Sequence, residues 1–315
     1  MADIKQSVRF DFFVPYSEDD EGNEFFVDLT DLLNDIHNLK GNDRIGHYFG
    51  TPVRMDSIHV MPQNPDITYF HMVRMRDEGL ASTKQDTEKM TDIVLDSDDY
   101  IAEDISGFFD AKTCAVMLQR NSHSLSISGV REYLKQKYEE KHTNDNLLLS
   151  FRPVPDLDII KKVKKVTNFR RLQLKFASSQ VTNFDQGFSK VLGQFSELFS
   201  KAGGSQMDLL LSSSRGEPDL KREEMLSLIS EIQNNQTILS SAVFAGKEGD
   251  APIELYDLLN GKLQTYSKFS ISKIVEGQQK KYHLNQEAVE EEMYRIYVTI
   301  DKYQDKVIKN LKWNM

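Results

Sequence analysis

Gln119-Arg120-Asn121-Ser122-His123-Ser124 gathers more chemistry-bearing side chains than any other segment of the chain. Arg120, Asn121 and His123 can all donate to phosphate oxygens or base edges, and a helix start expected at Ser128-Gly129 would bring free backbone amides close by. His123 among Ser122, Ser124, Ser126 and Ser128 formally permits a serine nucleophile with a histidine base. No nucleophile-elbow glycine pattern surrounds those serines, so a polar, phosphate-facing loop is the expected use. The alternative for Arg120 is an internal ion pair with the acidic first third of the chain. Glu217, Asp219 and Lys221 place two carboxylates and a lysine just after a strand, in the manner of metal nucleases. A second acidic strand is missing, and Asp219 reads as the N-cap of a helix over Leu220 to Gln233. Asp96, Asp98, Asp99, Glu103 and Asp104 offer hard oxygens for a divalent cation but lack the glycine and terminal glutamate of a calcium loop. The seven histidines show no ligand spacing, and neither Gly203-Gly204 nor Gly246-Lys-Glu-Gly249 is a phosphate loop. The expectation is therefore no catalytic residue, no metal and no cofactor.

The elements that must position these residues follow from hydrophobic periodicity. Val8 to Val14 reads as a strand, Asp28 to Leu39 as a short amphipathic helix, and Arg44 to Phe49, Val53 to Met61 and Ile67 to Arg76 as strands. Ala81 to Lys89 is polar and expected to be a loop, and Phe108-Phe109 pairs with Cys114 to Leu118 as a hairpin. A helix from about Val130 to Lys141 should be capped by Ser128. Residues 147–176 form the clearest unit: strand Leu147 to Arg152, two prolines, a helix capped by Asp156 with Ile159, Ile160, Val163 and Val166 inward, and strand Arg170 to Phe176. Its cations, Lys161, Lys162, Lys164, Lys165, Arg170, Arg171 and Lys175, are left outside. Beyond it come a helix over Phe184 to Lys201, strands Met207 to Ser213, Thr237 to Phe244 and Leu263 to Ile271, and one long helix within Gln286 to Lys312. That helix has a 3.5-like apolar period suited either to lying across a sheet or to pairing with its copy. The fold class is α+β: a mostly antiparallel N-terminal sheet region with short helices over residues 1–145, then a C-terminal α+β region over residues 146–315.

With 39 Lys and Arg against 49 Asp and Glu, the formal charge is −10, which excludes a uniformly basic nucleic-acid coat. The charge is uneven: 9 − 24 = −15 over residues 1–110, 15 − 7 = +8 over 111–190, and 15 − 18 = −3 over 191–315. Such asymmetry marks either a polyanion-facing surface beside an acidic one or two parts that neutralise each other. One cysteine, Cys114, forbids an internal disulfide, and no apolar run is long enough for a membrane helix; a cytoplasmic protein is expected. A basic patch running from Arg131, Lys135 and Lys137 through the lysines and arginines of 161–175 would grip phosphates without reading sequence.

The blocks Asp98-Asp-Tyr-Ile-Ala-Glu-Asp-Ile-Ser-Gly-Phe-Phe-Asp110 and Val116-Met-Leu-Gln-Arg-Asn-Ser-His-Ser-Leu-Ser-Ile-Ser-Gly-Val130, with Val8-Arg-Phe-Asp-Phe-Phe and His71-Met-Val-Arg-Met-Arg76, resemble the signature of an uncharacterised family of bacterial and prophage proteins. In layout the chain is also distantly similar to RexA, the DNA-associated sensor of a phage exclusion system. That similarity implies a role in phage exclusion or another mobile-element conflict, double-stranded DNA as ligand, a homodimer as working unit, and a separate membrane-bound effector protein. An interaction or inhibitor protein of such a system is the alternative, and a metal-dependent nuclease built on Glu217, Asp219 and Lys221 a second.

Overall fold

In the computed structural model, residues 4–19, 21–77, 80–83, 86, 88–142, 147–176, 207–214, 216–234, 239–249, 253–276 and 278–312 are described. They form an α+β protein of two compact units: Met1–Val154 with Leu263–Met315, and an inserted unit Pro155–Lys262. The division differs from two consecutive domains meeting at residue 145, because the chain leaves the first unit and later returns to it. The helix expected over Phe184 to Lys201 lies outside the described residues.

The first unit is organised around β1 (Lys5–Glu18), whose burial alternates residue by residue as a strand with two covered faces requires. Along one edge it pairs with β9 (Ala115–Arg120) and then with β2 (Glu24–Phe26). Along the other it pairs first with β15 (Gln264–Ser270) and then with β10 (Ser150–Pro153). Phe12 sits at the changeover: its amide donates to Leu263, its carbonyl accepts from Val154, and Leu263 donates to Val154 at 2.8 Å. The antiparallel sheet continues from β9 to β8 (Ile101–Asp110), β5 (Asn64–Arg76), β4 (Thr51–Met61) and β3 (Ile45–Tyr48). Gly107 lets β8 pass under the Phe70 ring, where a Cβ would stand 2.4 Å from Phe70 Cζ.

Helices α1 (Thr30–Asn38) and α2 (Ile127–Lys141) cover one face, their Leu33, Ile36, Val130, Tyr133 and Leu134 packing on Met55, Phe70, Phe109 and Leu118. Ser126, not Ser128, stands at the N-cap of α2, without a side-chain cap. The opposite face, with Phe10, Phe12, Tyr69, Phe108 and Met117, is covered by the C-terminal segment. That segment fills the expected span but is broken into α5 (Gln286–Tyr294), a π-helical turn Arg295–Thr299 and α6 (Tyr303–Lys312), with Lys302 at φ 47° before the last helix. Its apolar stripe, Val289, Met293, Ile296, Tyr297, Tyr303 and Val307, is buried in its own unit, so it serves the sheet.

Two hairpins stand apart from the main sheet. β6 (Leu80–Thr83) and β7 (Met90–Ile93) pair where a loop was expected, and β16 (Ser272–Val275) pairs with β17 (Gln278–Lys281). The inserted unit is a four-stranded antiparallel sheet in the order β12 (Met207–Ser212), β11 (Asn168–Phe176), β13 (Leu239–Lys247), β14 (Glu254–Asp257). One face packs on α3 (Ile159–Lys165) and α4 (Arg222–Asn234) through Val163, Val166, Leu172, Leu174, Phe244, Ile229 and Ile232. No helix among the described residues is long and apolar enough to cross a membrane.

The C-terminal segment is fastened by a buried carboxylate. Asp110, fully enclosed, accepts from Lys112 N, Thr113 Oγ1, Tyr297 Oη and Gln304 Nε2 at 3.0, 2.8, 2.8 and 2.9 Å. Burial, followed by the Asp110 charge, pushes the Tyr297 hydroxyl well above its ordinary pKa, so it stays a donor. Replacing Asp110 by Ala strands donors in a dry interior and is expected to cost about 3 kcal/mol, and Tyr297→Phe about 1 kcal/mol. Urea unfolding measures both; coincident curves for wild type and Asp110→Ala contradict the fastening role.

Candidate functional site

β9, β1 and β15 place Arg120, Arg9 and Tyr266 side by side: Arg9 lies opposite Arg120 in one ladder and opposite Tyr266 in the other. By strand alternation Lys268, opposite Ser7, and Lys5, opposite Ser270, follow on the same face. Arg9 is held bidentately by Asp11 at 2.6 and 2.9 Å. Arg120, Lys268 and Lys5 are exposed and have no ion pair among the described residues. Among the described residues Arg120 thus does not make the internal ion pair that is its alternative use. Like charges opposed across a ladder cost stability, and an anion bound over Arg9 and Arg120 relieves that cost.

The rest of the expected polar loop is occupied locally. Asn121 Nδ2 donates to the Asp104 carbonyl at 3.1 Å, its Oδ1 accepts from His123 N, and Ser124 Oγ donates to the Glu103 carbonyl at 2.6 Å. His123 is exposed, and the Ser124 hydroxyl is turned to backbone, so the formal serine–histidine pair is not formed. On α2, Arg131 pairs with neighbouring Glu132 at 2.7 Å and Lys135 is half-buried. Lys137 leaves the expected patch altogether: its buried Nζ donates to the carbonyls of Asp43 and Ile45 at 2.8 and 2.7 Å and to Glu140.

In the inserted unit the expected patch is divided by the sheet. α3 packs on the Leu172, Leu174, Phe176 face, so Lys161, Lys164 and Lys165 project from that side. Arg171, Gln173 and Lys175 project from the other by alternation. Four of the cations are also matched: Lys161 to Asp158 at 2.7 Å, Lys162 to Asp156 at 2.5 Å, Arg170 to Asp219 at 2.6 Å and Lys175 to Asp208 at 3.4 Å. Lys164, Lys165 and Arg171 have no ion pair among the described residues. Counted over Pro155–Lys262, 14 Lys and Arg face 14 Asp and Glu, a net of zero. Of the +8 of residues 111–190, the +5 that falls within 155–190 (8 − 3) is therefore cancelled inside the inserted unit.

Asp219 is not an N-cap. The helix begins at Arg222, and Asp219 accepts from Asn168 Nδ2 and forms an ion pair with Arg170. Asp156 likewise precedes the cap of α3, which is Asp158, and accepts from the Asp158 amide. No grouping of three His, Cys, Asp or Glu suited to a metal occurs among the described residues, including around Glu217 and Asp219.

Pattern reading missed a seam of histidines under the C-terminal segment. Asp104 accepts from His71 at 2.9 Å and from His283 at 2.8 Å, and His59 meets Glu290 at 2.8 Å. Their separation in sequence hides the pairing, although alternation along β5 does place His71 with Tyr69 on one face. Ser57 Oγ lies 3.5 Å from His59 Nδ1, the outer limit of a hydrogen bond.

The family model described as "Family of unknown function (DUF6731)" matches residues 4–307. No curated protein matches the chain.

Burial alone raises the Asp104 carboxyl, but the hydrogen bonds from His71 and His283 outweigh it and hold its pKa below the ordinary carboxylate value. A depressed folded-state pKa contributes stability that is complete above the unfolded value of about 3.9 and is lost as pH falls through the lower folded value. Asp104→Asn is expected to lower stability at neutral pH and to flatten the acid limb of a stability–pH profile below about pH 4. An unaltered acid limb would show that Asp104 does not carry it.

Proposed function

The chain belongs to this family of unknown function, so membership supplies no activity, and we propose from its own surface chemistry a non-catalytic, sequence-independent DNA-binding protein. Its place is phage exclusion or another mobile-element conflict, with a homodimer as working unit and a separate membrane-bound effector, as the likeness in layout to RexA suggests. The observation that carries the binding reading is the strip on β9, β1 and β15. Arg120 and Lys268 stand exposed, with no ion pair among the described residues, beside the ring of Tyr266, and Arg9 opposes Arg120 directly. Phosphate oxygens meet such a strip through charge alone, which fits a surface with no base-reading helix. Lys164 and Lys165 of the inserted unit remain open to a second, weaker phosphate contact.

A second reading, an interaction or inhibitor protein, is favoured by the β6–β7 hairpin. All eight of its residues are exposed, among them Leu80, Met90 and Ile93, in a segment dense in carboxylates. Apolar side chains held in solvent on an acidic arm suit a protein partner.

A gel shift with duplex DNA, single-stranded DNA and RNA over a salt series separates the two. The DNA reading expects retention of duplex at low salt and a log–log loss of affinity with slope about −0.9 per phosphate contact. Arg120→Glu with Lys268→Glu should weaken duplex binding by about tenfold or more, whereas Lys164→Glu with Lys165→Glu should weaken it less. Failure of the wild-type chain to retain any nucleic acid at low salt rejects this function.

A further inference from the structure

We propose that the hairpin of β16 and β17 is an arm that seats in the major groove of duplex DNA, with Lys273, Lys280 and Lys281 on the bordering phosphates. The proposal rests on the DNA-binding reading above and names the element that makes the contact.

The base of the arm is fixed, and Lys273, Ile274, Glu276, Gln278, Lys280 and Lys281 beyond it are exposed. Ile4 N donates to Ser272 Oγ at 3.0 Å, Ile271 N to the Ile4 carbonyl at 2.9 Å, and Tyr282 N to the Ile271 carbonyl at 2.8 Å. Leu284, just beyond, is buried in the core. Between these anchors the strands run from Ser272 to Val275 and from Gln278 to Lys281, turning at Glu276 with the positive φ of 52° that two-residue hairpins use. One face carries Lys273, Val275, Gln278 and Lys280, the other Ser272, Ile274, Gln279 and Lys281, by alternation and register. Both faces contain exposed residues, and Ile274 keeps 69% of its surface in solvent. A free two-stranded ribbon of this length is marginal in water, so its retention as a strand pair asks for a surface that it completes.

Its charge says which surface. Lys273 and Lys280 are direct cross-strand partners, an arrangement that costs stability in solvent. Lys281 follows, and none of the three has an ion pair among the described residues. Lys5 and Lys268 continue the cations to the root of the arm, where Lys5 lies opposite Ser270. Glu276 at the tip is the exception. Two strands about 4.8 Å apart fit within a major groove about 12 Å wide, with lysines reaching the phosphates that border it. Duplex is favoured over single strand by the side chains. Tyr282, the aromatic residue that directly follows the arm, already carries Lys273 Nζ 5.4 Å from its centroid, and no residue of the ribbon itself is aromatic, which offers no stacking platform.

Fluorescence anisotropy on the full chain, with a labelled duplex and the matching single strand over a salt series, tests the arm. Replacing Lys273, Lys280 and Lys281 by Ala should weaken duplex binding by about tenfold or more at low salt. It should also reduce the salt slope by about 0.9 per lysine. Glu276→Gln should tighten binding, a gain that no folding defect produces. The unfolding midpoint of Lys273→Ala should equal or exceed that of wild type, because a like-charge pair is removed. A wild-type chain that binds duplex while the triple variant binds it with the same affinity and slope overturns the arm and leaves the DNA-binding reading standing. Equal losses on duplex and single strand overturn the groove. A wild-type chain that binds no nucleic acid, or only an acidic polypeptide probe, overturns both.

Discussion

Strand β1 is hydrogen-bonded along both edges, and the two ends of the first unit exist because of that. One edge is closed by β9 and β2, the other by β15 and β10 laid end to end. The changeover at Phe12 holds Val154 and Leu263 within hydrogen-bond reach of each other, so the inserted unit leaves and re-enters through adjacent backbone. Everything on the covered faces follows from this arrangement. β15 carries the chain to the hairpin arm, and the arm returns it to the segment that Asp110 fastens over Phe12 and Phe108. The cationic strip is a by-product of the same pairing, since Arg120, Arg9 and Tyr266 are neighbours only through the two ladders of β1.

Electrostatics here is local. Charge added up along the sequence makes the middle of the chain basic, yet the structural unit that contains most of those cations is neutral, and Asp156, Asp158, Asp208 and Asp219 sit within ion-pair distance of Lys162, Lys161, Lys175 and Arg170. The exposed pairs, Lys161–Asp158 and Lys175–Asp208, contribute little to stability, about 0–1 kcal/mol each. They do remove the attraction for a polyanion. What distinguishes Arg120 and the Lys273–Lys280 pair is the absence of an ion pair among the described residues together with a like charge set directly opposite.

Alternation and amphipathic spacing made most of the strands readable, and the inward Leu172, Leu174 and Phe176 with outward Arg171 and Lys175 are placed as their order demands. The break before α6 was not readable. Ile300, Asp301 and Lys302 include no glycine or proline, and the turn is imposed by Tyr297 and Gln304 both reaching Asp110. The site was half-readable. Arg120 was singled out for its donors, but its neighbours Tyr266 and Lys268 are more than 140 positions away and become neighbours only through β1. Lys280 and Lys281 were visible as residues and hidden as a feature, because their segment also holds the glutamates of α5, which turn the regional charge negative. Lys137 shows the reverse error: its spacing on α2 suits a solvent face, and three oxygens around its ammonium draw it inward.

The insertion bears on how the chain folds as it is made. When synthesis reaches Val154, β1 has β9, β2 and β10, but Phe10, Phe12, Phe108 and Met117 have no cover, because the residues that shield them lie beyond Leu263. The inserted unit, which has a hydrophobic core of its own, emerges meanwhile and can become ordered first. The nascent first unit must therefore hold an apolar sheet face open across the synthesis of a whole second unit, an interval in which collapse onto other chains competes with completion.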